Sequence, residues 1–274
     1  MKKRAICAAL CLTLCIALGG QAAAAERGVS FILNGAVLET EIAAQVIDQT
    51  VYVSYWPIVQ ALYPDAAAVW ANHRAEVTTE GLALYIKPGA KYIEANGRYL
   101  YVPDGVRNSN GNMMVPARVL AQALGGKAWW DENTQSVKFQ SGTGPIQSGD
   151  TFYNGDDLYW LSRIISAESR GESLLGQIAV GNVVLNRAAS ADFPNTIYSV
   201  IFDSRWGGQF EPVRNGSIYQ EPTEESVLAA KLVLEGASVA GNSLYFLSPS
   251  LTSNHWIMNN RPYVMTIGCH WFYA

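Results

Sequence analysis

Hydrophobic and polar positions divide the chain into two regions with different periodicity. Between residues 29 and 139, short runs with strand-like composition alternate with a helical pattern, twice over. After residue 156, apolar residues recur at three- and four-residue spacing, which is typical of helices with one buried face. The pattern predicts an α+β protein: a small, β-rich α+β N-terminal domain followed by a mainly helical domain with a small β portion.

The N-terminal region contains an internal repeat. Its strand-like runs lie at residues 29–33, 51–53, 83–86 and 99–102. The tripeptide Gln60-Ala61-Leu62 recurs 62 residues later as Gln122-Ala123-Leu124. A valine precedes each copy (Val53 and Val115) and a tryptophan follows it (Trp70 and Trp130). Each copy therefore predicts a strand, a short helix, an aromatic turn and a second strand, and the two copies are expected to share one core.

Residues 1–25 have the pattern of a secretory signal peptide. Lys2, Lys3 and Arg4 precede an apolar run at 5–18, and small residues ending in four alanines lead to a cleavage site before Glu26. The apolar run is shorter than the roughly 20 residues that span a bilayer. We therefore expect an exported protein that is free of the membrane after cleavage. An uncleaved anchor is the alternative.

Charge and cysteine content limit the partners and the disulfides that the chain can have. Three of the 19 basic residues and none of the 23 acidic ones lie in 1–25, so the remaining chain has 16 basic and 23 acidic residues and a net charge of −7. This acidic balance argues against nucleic acid as a partner. Cys269 is the one cysteine outside the signal, so no internal disulfide can form. Its apolar neighbours predict a buried, inert thiol.

A change in composition separates the two regions. Residues 140–155 are rich in Gly, Ser and Thr and have no hydrophobic period, as expected for a linker. The predicted organisation is a signal peptide at 1–25, an N-terminal domain at 26–139, a linker at 140–155 and a C-terminal domain at 156–274.

The stretch MVPARVLAQALGGKAWWDENTQSVKF, at 114–139, resembles the copper amine oxidase N-terminal-like domain, and the resemblance extends over about residues 29–139. It implies a role in attachment or positioning, and a folded spacer without a ligand is the alternative. The region has one histidine, His73, which we expect at the surface, so neither a metal site nor a cofactor is predicted. Four tryptophans (Trp56, Trp70, Trp129 and Trp130) either stack on sugars or belong to the core.

The first helix of the C-terminal region carries the most informative acidic residue. The helix is predicted to start at a cap formed by Asp156 or Asp157 and to run to about Ser169, with Gly171 allowing a sharp turn. Glu168 follows Leu161 by seven residues, so it projects from the apolar face. Burial there would raise its pKa, as a glycosidic general acid requires. The alternative is a glutamate at the helix end that pairs with Arg170 or Arg187.

The C-terminal region resembles the SleB/CwlJ-type cell wall hydrolases, which include spore cortex-lytic enzymes. The resemblance begins with AESRGESLLGQIAVGNVVLNRAASADFPNTIYSVIF at 167–202 and continues in order through GGQFEPVRNGSIY, ESVLAAKLVLEG, SLYFLSP and RPYVMTIGCHWFY, so that it spans 157–273. It implies a catalytic domain with a lysozyme- or lytic-transglycosylase-like fold. It also implies a peptidoglycan hydrolase in which Glu168 is catalytic.

The remaining segments supply candidates for the walls of a cleft. A second helix at about 174–188, with small residues that include Gly176 and Gly181, is expected to be central, and Arg187 to pair with Glu172 or Asp192. Glu172 is either a base or a residue that ties down the turn. The predicted substrate-binding residues are Glu172, Gln209, Phe210, Tyr245 and Trp256, with Glu211 as a weaker second acid. Further residues that could line the cleft are Phe246, His255, Arg261 and His270. For these four and for Tyr245 and Trp256, a purely structural role is the alternative.

These features predict cleavage of peptidoglycan glycan strands without a cofactor. A second carboxylate across the cleft would give hydrolysis. If Glu168 acts alone, the 6-hydroxyl of muramic acid attacks instead, as in lytic transglycosylases, and we favour this route because no equally strong partner is evident. An amidase that cuts the sugar–peptide bond is an alternative, although it would usually need a zinc site. A non-catalytic wall-binding protein is another.

Overall fold

The computed structural model describes residues 29–40, 42–251 and 255–274. The predicted signal peptide at 1–25 lies outside the described residues. The architecture is mixed α+β, with a β-rich N-terminal half and a mainly helical C-terminal half, and the predicted fold class is confirmed. No helix of the described chain is both long and apolar enough to cross a membrane.

In the described residues, the N-terminal half contains two helices and a series of short strands, and the strands form three sheets. The helices are α1 (Tyr55–Leu62) and α2 (Ala117–Ala123). The strands are β1 (Ser30–Leu33), β2 (Ala36–Val37), β3 (Gln45–Ile47), β4 (Thr50–Ser54), β5 (Ala67–Ala71), β6 (Arg74–Thr79), β7 (Leu82–Ile86), β8 (Tyr92–Ala95), β9 (Arg98–Tyr101), β10 (Arg107–Ser109), β11 (Asn112–Pro116), β12 (Lys127–Asp131) and β13 (Ser136–Gln140). Their orders are β12-β13-β1-β2, β10-β11-β4-β3 and β5-β6-β7-β8-β9.

The internal repeat is visible in the structure. The first copy is β4-α1-β5-β6 and the second is β11-α2-β12-β13. The two copies meet directly, because β4 and β11 pair antiparallel with Val53 opposite Val115. The prediction of an aromatic turn is wrong, because Trp70 and Trp130 lie in strands β5 and β12. Both helices cover one shared core, in which Ile58 and Leu120 are buried.

The C-terminal half packs a group of helices against a small sheet. The helices are α3 (Gly149–Phe152), α4 (Gly155–Ser169), α5 (Leu174–Ala189), α6 (Ile197–Ile201), α7 (Glu211–Asn215), α8 (Glu224–Leu234) and α9 (Trp256–Asn260). The strands are β14 (Tyr245–Leu247), β15 (Tyr263–Ile267) and β16 (His270–Tyr273), in the order β14-β16-β15.

Helix α4 begins at Gly155, two or three residues earlier than a cap at Asp156 or Asp157 would place its start. Its cap is Asn154, whose side chain accepts a hydrogen bond of 3.0 Å from the backbone N–H of Asp157. Asp156 and Asp157 lie in the first turn, where their charge favours the positive end of the helix dipole. The turn after α4 does not depend on Gly171, because that residue does not adopt a left-handed φ and has open space where a Cβ would stand.

Helix α5 is the central helix of this half, as predicted. Gly181 lies where α4 and α8 both reach it: a Cβ at this position would stand 2.9 Å from Ile165 Cδ1 and 2.9 Å from Val233 Cγ2. Real Cβ atoms are essentially never that close to a neighbour. The absence of a side chain at Gly181 therefore allows the three helices to pack closely.

The two halves are joined by polar and apolar contacts. Along the predicted linker, Ile146 is buried in the N-terminal core, and its carbonyl accepts a 2.8 Å hydrogen bond from Asn96 Nδ2. Arg98 of β9 donates from Nε and Nη2 to the carboxylate of Glu235, just after α8, at 2.6 and 2.7 Å. Tyr153 donates to the same carboxylate at 3.0 Å. We call this group the Arg98–Glu235 joint. The domain boundaries stay a prediction.

The tryptophans of the N-terminal half, His73 and Cys269 differ in how far they are exposed to solvent. Trp56 and Trp130 pack partly buried against the N-terminal core, whereas Trp70 and Trp129 are 59% and 41% exposed. His73 is exposed in a tight turn, as expected. The prediction for Cys269 is wrong: its thiol is exposed, because the residue lies in the turn between β15 and β16.

Candidate active site

A cleft of about 920 Å³ opens on the C-terminal half. Its floor includes the end of α4 and the end of α5, and its walls come from the segment before α7, from β14 and from α9. The lining residues are Glu168, Arg187, Asp192, Phe193, Asp203, Arg205, Gly208, Gln209, Phe210, Glu211, Arg214, Tyr245, Phe246, Leu247, Trp256, Ile257 and Arg261.

Glu168 reaches this cleft from the apolar face of α4. Leu161, Ile164 and Ile165 of the same helix are fully buried and fix its rotation. In the described part of the chain, the Glu168 carboxyl group has neither a hydrogen bond nor an ion pair. Burial raises its pKa to about 7, and the positive charge of Arg187 acts in the opposite direction. A large fraction of Glu168 therefore holds its proton near neutral pH.

Arg187 is a buried cation beside this acid. Its Nε donates to the carbonyl of Leu244 at 2.7 Å, and its guanidinium lies 4.9 Å from the ring centre of Phe193 and 5.1 Å from that of Phe210. Burial lowers its pKa to about 10, which still leaves it charged at neutral pH. Its Nη1 is buried without a hydrogen-bond partner in the described structure. The expected pairing of Arg187 with Glu172 or Asp192 is wrong, because no such ion pair forms among the described residues.

The polar side of α5 positions the wall that contains Tyr245. Asn182 donates to the carbonyl of Ala237 at 2.6 Å and accepts from the backbone N–H of Val239 at 2.8 Å. One turn later, Asn186 donates to the carbonyl of Ser243 at 3.0 Å. These amides hold the chain between α8 and β14 against α5. Strand β14 is thereby held beside Glu168.

The predicted lining residues divide into two groups. Gln209, Phe210, Tyr245 and Trp256 all lie in the cleft with Glu168. Phe210 is buried, and it follows Gly207 and Gly208, whose φ values of +90° and +91° suit glycine. Of the further candidates, Glu211, Phe246 and Arg261 also line the cleft, whereas His255 and His270 do not. The roles of these residues stay predictions.

Glu172 does not line the cleft. Its Oε2 accepts a hydrogen bond of 3.1 Å from the backbone N–H of Cys269, and a Cβ at Gly268 would stand 1.8 Å from that oxygen. His270 is buried nearby, with Nδ1 3.9 Å from Glu172 Oε1. Burial lowers the pKa of His270, while Glu172 acts to raise it. In this structure Glu172 ties the β15–β16 turn to the start of α5.

The other carboxylates of the cleft differ from Glu168 in their surroundings. Asp203 is buried and forms hydrogen bonds of 2.9 and 3.1 Å with the Nε of Arg205, which holds its pKa below the usual range. Glu211 is paired with Arg214, and Asp192 is exposed. The Asp203–Arg205 pair was not identified from the sequence, although a two-residue Asp–Arg spacing just after a short helix suits such a turn.

Within the described residues, no group of three or more His, Cys, Asp or Glu side chains is placed to hold a metal ion. The polar chemistry of the cleft comes from carboxyl, amide, phenol and guanidinium groups.

A carboxylic acid with a raised pKa, beside an open cleft with aromatic walls, is characteristic of enzymes that cleave glycosidic bonds by general acid catalysis. Comparison with known proteins agrees with this class. The family model described as Cell Wall Hydrolase matches residues 171–273, and the Copper amine oxidase N-terminal domain matches 32–139. The chain belongs to the cell wall hydrolase family, and both resemblances found in the sequence are confirmed.

Individual relatives match the C-terminal half. A cell wall hydrolase CwlJ from Oceanobacillus iheyensis is 35% identical over 103 residues, which are 35% of this chain and 72% of the relative. A spore cortex-lytic enzyme from Bacillus cereus is 40% identical over 120 residues, or 44% of this chain. The match spans 45% of the length of that relative.

A solved structure also matches this half. It is the catalytic domain of a germination-specific lytic transglycosylase, SleB, from Bacillus anthracis, with 39% identity and a TM-score of 0.41, and the match covers 45% of this chain and 98% of that one. The family-model match begins at residue 171, three residues after Glu168.

Proposed function

We propose that the protein cleaves the glycan strands of peptidoglycan, with Glu168 as the general acid. The observation that carries this proposal is the setting of Glu168: a largely buried carboxyl group, unpaired in the described structure, at the edge of a cleft large enough for sugar rings. Its raised pKa of about 7 keeps a proton available for transfer. The family of the chain supports a wall substrate.

The proposed reaction is a lytic transglycosylation. Protonated Glu168 gives its proton to the glycosidic oxygen as the bond from that oxygen to C1 of the muramyl sugar breaks. The 6-hydroxyl oxygen of the same sugar then bonds to C1, and its proton returns to the Glu168 carboxylate. The products are a strand with a new free 4-hydroxyl end and a strand with a 1,6-anhydro end, so no water is consumed.

The surroundings of the other cleft acids favour this route over hydrolysis. A second carboxylate that activates water must be free to accept a proton, whereas Asp203 is held by Arg205 and Glu211 by Arg214. Asp192 also lines the cleft, but it is exposed to solvent, whereas Glu168 is largely buried. Arg187 has a different role in this route. Its positive charge stabilises the Glu168 carboxylate that remains after proton transfer.

The variant Glu168→Gln tests the assignment. Glutamine keeps the shape of the side chain but has no proton to transfer at neutral pH, so digestion of purified sacculi should fall by roughly a hundredfold to ten-thousandfold. Glu224→Gln, the same change at an exposed position on α8, is the matched control and should digest at the wild-type rate. Substantial digestion by the Glu168 variant would refute the proposed role.

Product analysis by mass spectrometry separates the candidate reactions. Anhydro ends support transglycosylation, and reducing ends without anhydro sugars support hydrolysis. New free amino groups without new glycan ends would show an amidase instead. Binding to sacculi without any product would show a wall-binding protein.

We also propose where the protein acts. The signal-like residues 1–25 favour export, and the names of the relatives place their substrates in the spore cortex and the cell wall. Peptidoglycan is then the partner of the whole chain, and the N-terminal half attaches or positions the cleft on it. Comparing digestion of cortex fragments with digestion of vegetative sacculi would identify the substrate.

A further inference from the structure

Four arginines of the described chain line the cleft, and three of them are already engaged. Arg205 is bound by Asp203 and Arg214 by Glu211. Arg187 is buried and donates to a backbone carbonyl. The fourth, Arg261, is exposed, and in the described structure its guanidinium has neither a hydrogen bond nor an ion pair. Arg261 therefore leaves five N–H donors available to a ligand.

Two aromatic rings hold this guanidinium in place. Its Cζ lies 4.7 Å from the ring centre of Tyr245 and 5.4 Å from that of Trp256. The backbone is fixed as well, because the N–H of Arg261 donates to the carbonyl of Ile257 at 2.9 Å and strand β15 follows at once. A guanidinium stacked on rings is already ordered, so it loses less side-chain entropy when it binds a ligand.

We propose that Arg261 is a specificity-determining residue that binds a carboxylate group carried by the glycan substrate. Tyr245 and Trp256 hold the planar guanidinium from their ring faces, and its N–H groups meet the two carboxylate oxygens. This inference rests on the proposed function, since it places the carboxylate on the same strand that Glu168 cleaves. The preferred substrate would then need a negatively charged carboxylate as well as a glycosidic bond.

Peptidoglycan offers this group from two sources. The lactyl ether of muramic acid ends in a carboxylate when no peptide is attached. When a peptide is attached, that carbonyl is an amide, and the carboxylates lie on the peptide. Both are exposed anions of the same chemistry, and a bidentate arginine pair suits either of them.

The test compares soluble glycan strands in two pairs. One pair carries peptides and the other has been freed of them, and within each pair the carboxyl groups are either free or converted to methylamides. We expect the wild-type KM to be about tenfold lower for the free form than for the methylamide in at least one pair, with similar kcat. A difference confined to one pair identifies the source of the carboxylate.

Variants assign this difference to Arg261. Arg261→Gln should give equal KM values for the free and methylamide strands, whereas Arg261→Lys should keep part of the difference. Arg214→Gln is the matched control, because it removes a cleft arginine that already has a carboxylate partner, and it should keep the full ratio.

Two results would overturn the inference: no difference between free and methylamide strands in the wild type, or a difference that survives in Arg261→Gln. Failure of the proposed function is a separate outcome, because the wild type would then release no products from any strand. Circular dichroism of Arg261→Gln checks that the variant is folded.

Discussion

Replacing Glu168 with glutamine should change how the free energy of unfolding depends on pH. In the folded protein, burial raises the pKa of this carboxyl group from the ordinary 4.5 to about 7. In the unfolded chain the group is exposed to water and should ionise near its ordinary pKa. Between these two values the unfolded state releases a proton that the folded state retains.

The sign and size of the effect follow from this difference. Below pH 4.5 both states are protonated, and Glu168 contributes its full stabilisation. That stabilisation is lost as the pH rises through about 7. At about 1.4 kcal/mol per pH unit, the loss is about 3 kcal/mol. Glutamine cannot ionise, so the Glu168→Gln variant should be more stable than the wild type by about this amount at pH 8.5, and nearly equal to it at pH 4.5.

Urea unfolding at half-unit pH steps from 4.5 to 8.5 would measure this difference. Glu224→Gln serves as the control, because it makes the same change at an exposed position outside the cleft. A constant difference between Glu168→Gln and the wild type over the whole range would refute the reasoning. It would show that the folded protein does not disfavour the ionised form of Glu168.

Three further predictions concern the cleft and the helix packing. Wall digestion should decrease above about pH 7 as Glu168 loses its proton. The variant Arg187→Met removes a neighbouring positive charge, so it should move this decrease to higher pH. The pH–rate profiles of the two proteins would show both effects. Arg98→Ala should cost about 3–5 kcal/mol in urea unfolding, because it leaves the carboxylate of Glu235 buried without its ion pair. Gly181→Ala should cost about 1–3 kcal/mol in the same assay, since its Cβ would overlap α4 and α8.

Local patterns predicted the helices and the position of Glu168 on α4 well. The spacing of Leu161, Ile164 and Glu168 depends only on 3.6-residue periodicity, and the observed α4 places all three as expected. The repeat was also readable, because equivalent residues recur at a constant offset. Because the two copies share a core, the equivalent residues Val53 and Val115 lie opposite each other in paired strands.

Contacts between distant segments were not predictable from local patterns. Glu172 is fixed by Cys269, which lies 97 residues away, so its separation from the cleft depends on how β15 and β16 pack on α5. The exposure of Cys269 has the same origin, because its apolar neighbours face the sheet while the turn itself faces solvent. Asp203 and Arg205 are close in sequence, but their two-residue spacing does not show that the pair lies in the cleft with Arg187.

The Arg98–Glu235 joint limits how this chain can be truncated or fused to other domains. Glu235 directly follows α8, which packs against α4 and α5 in the same core that supports the cleft. Tyr92, Tyr99 and Tyr101 of the N-terminal half cover part of that core. A truncated protein that begins at residue 155 would expose this apolar patch and leave a carboxylate without its arginine. An isolated C-terminal half would therefore need polar replacements at this surface, and a fusion to a different N-terminal domain would need a new partner for Glu235.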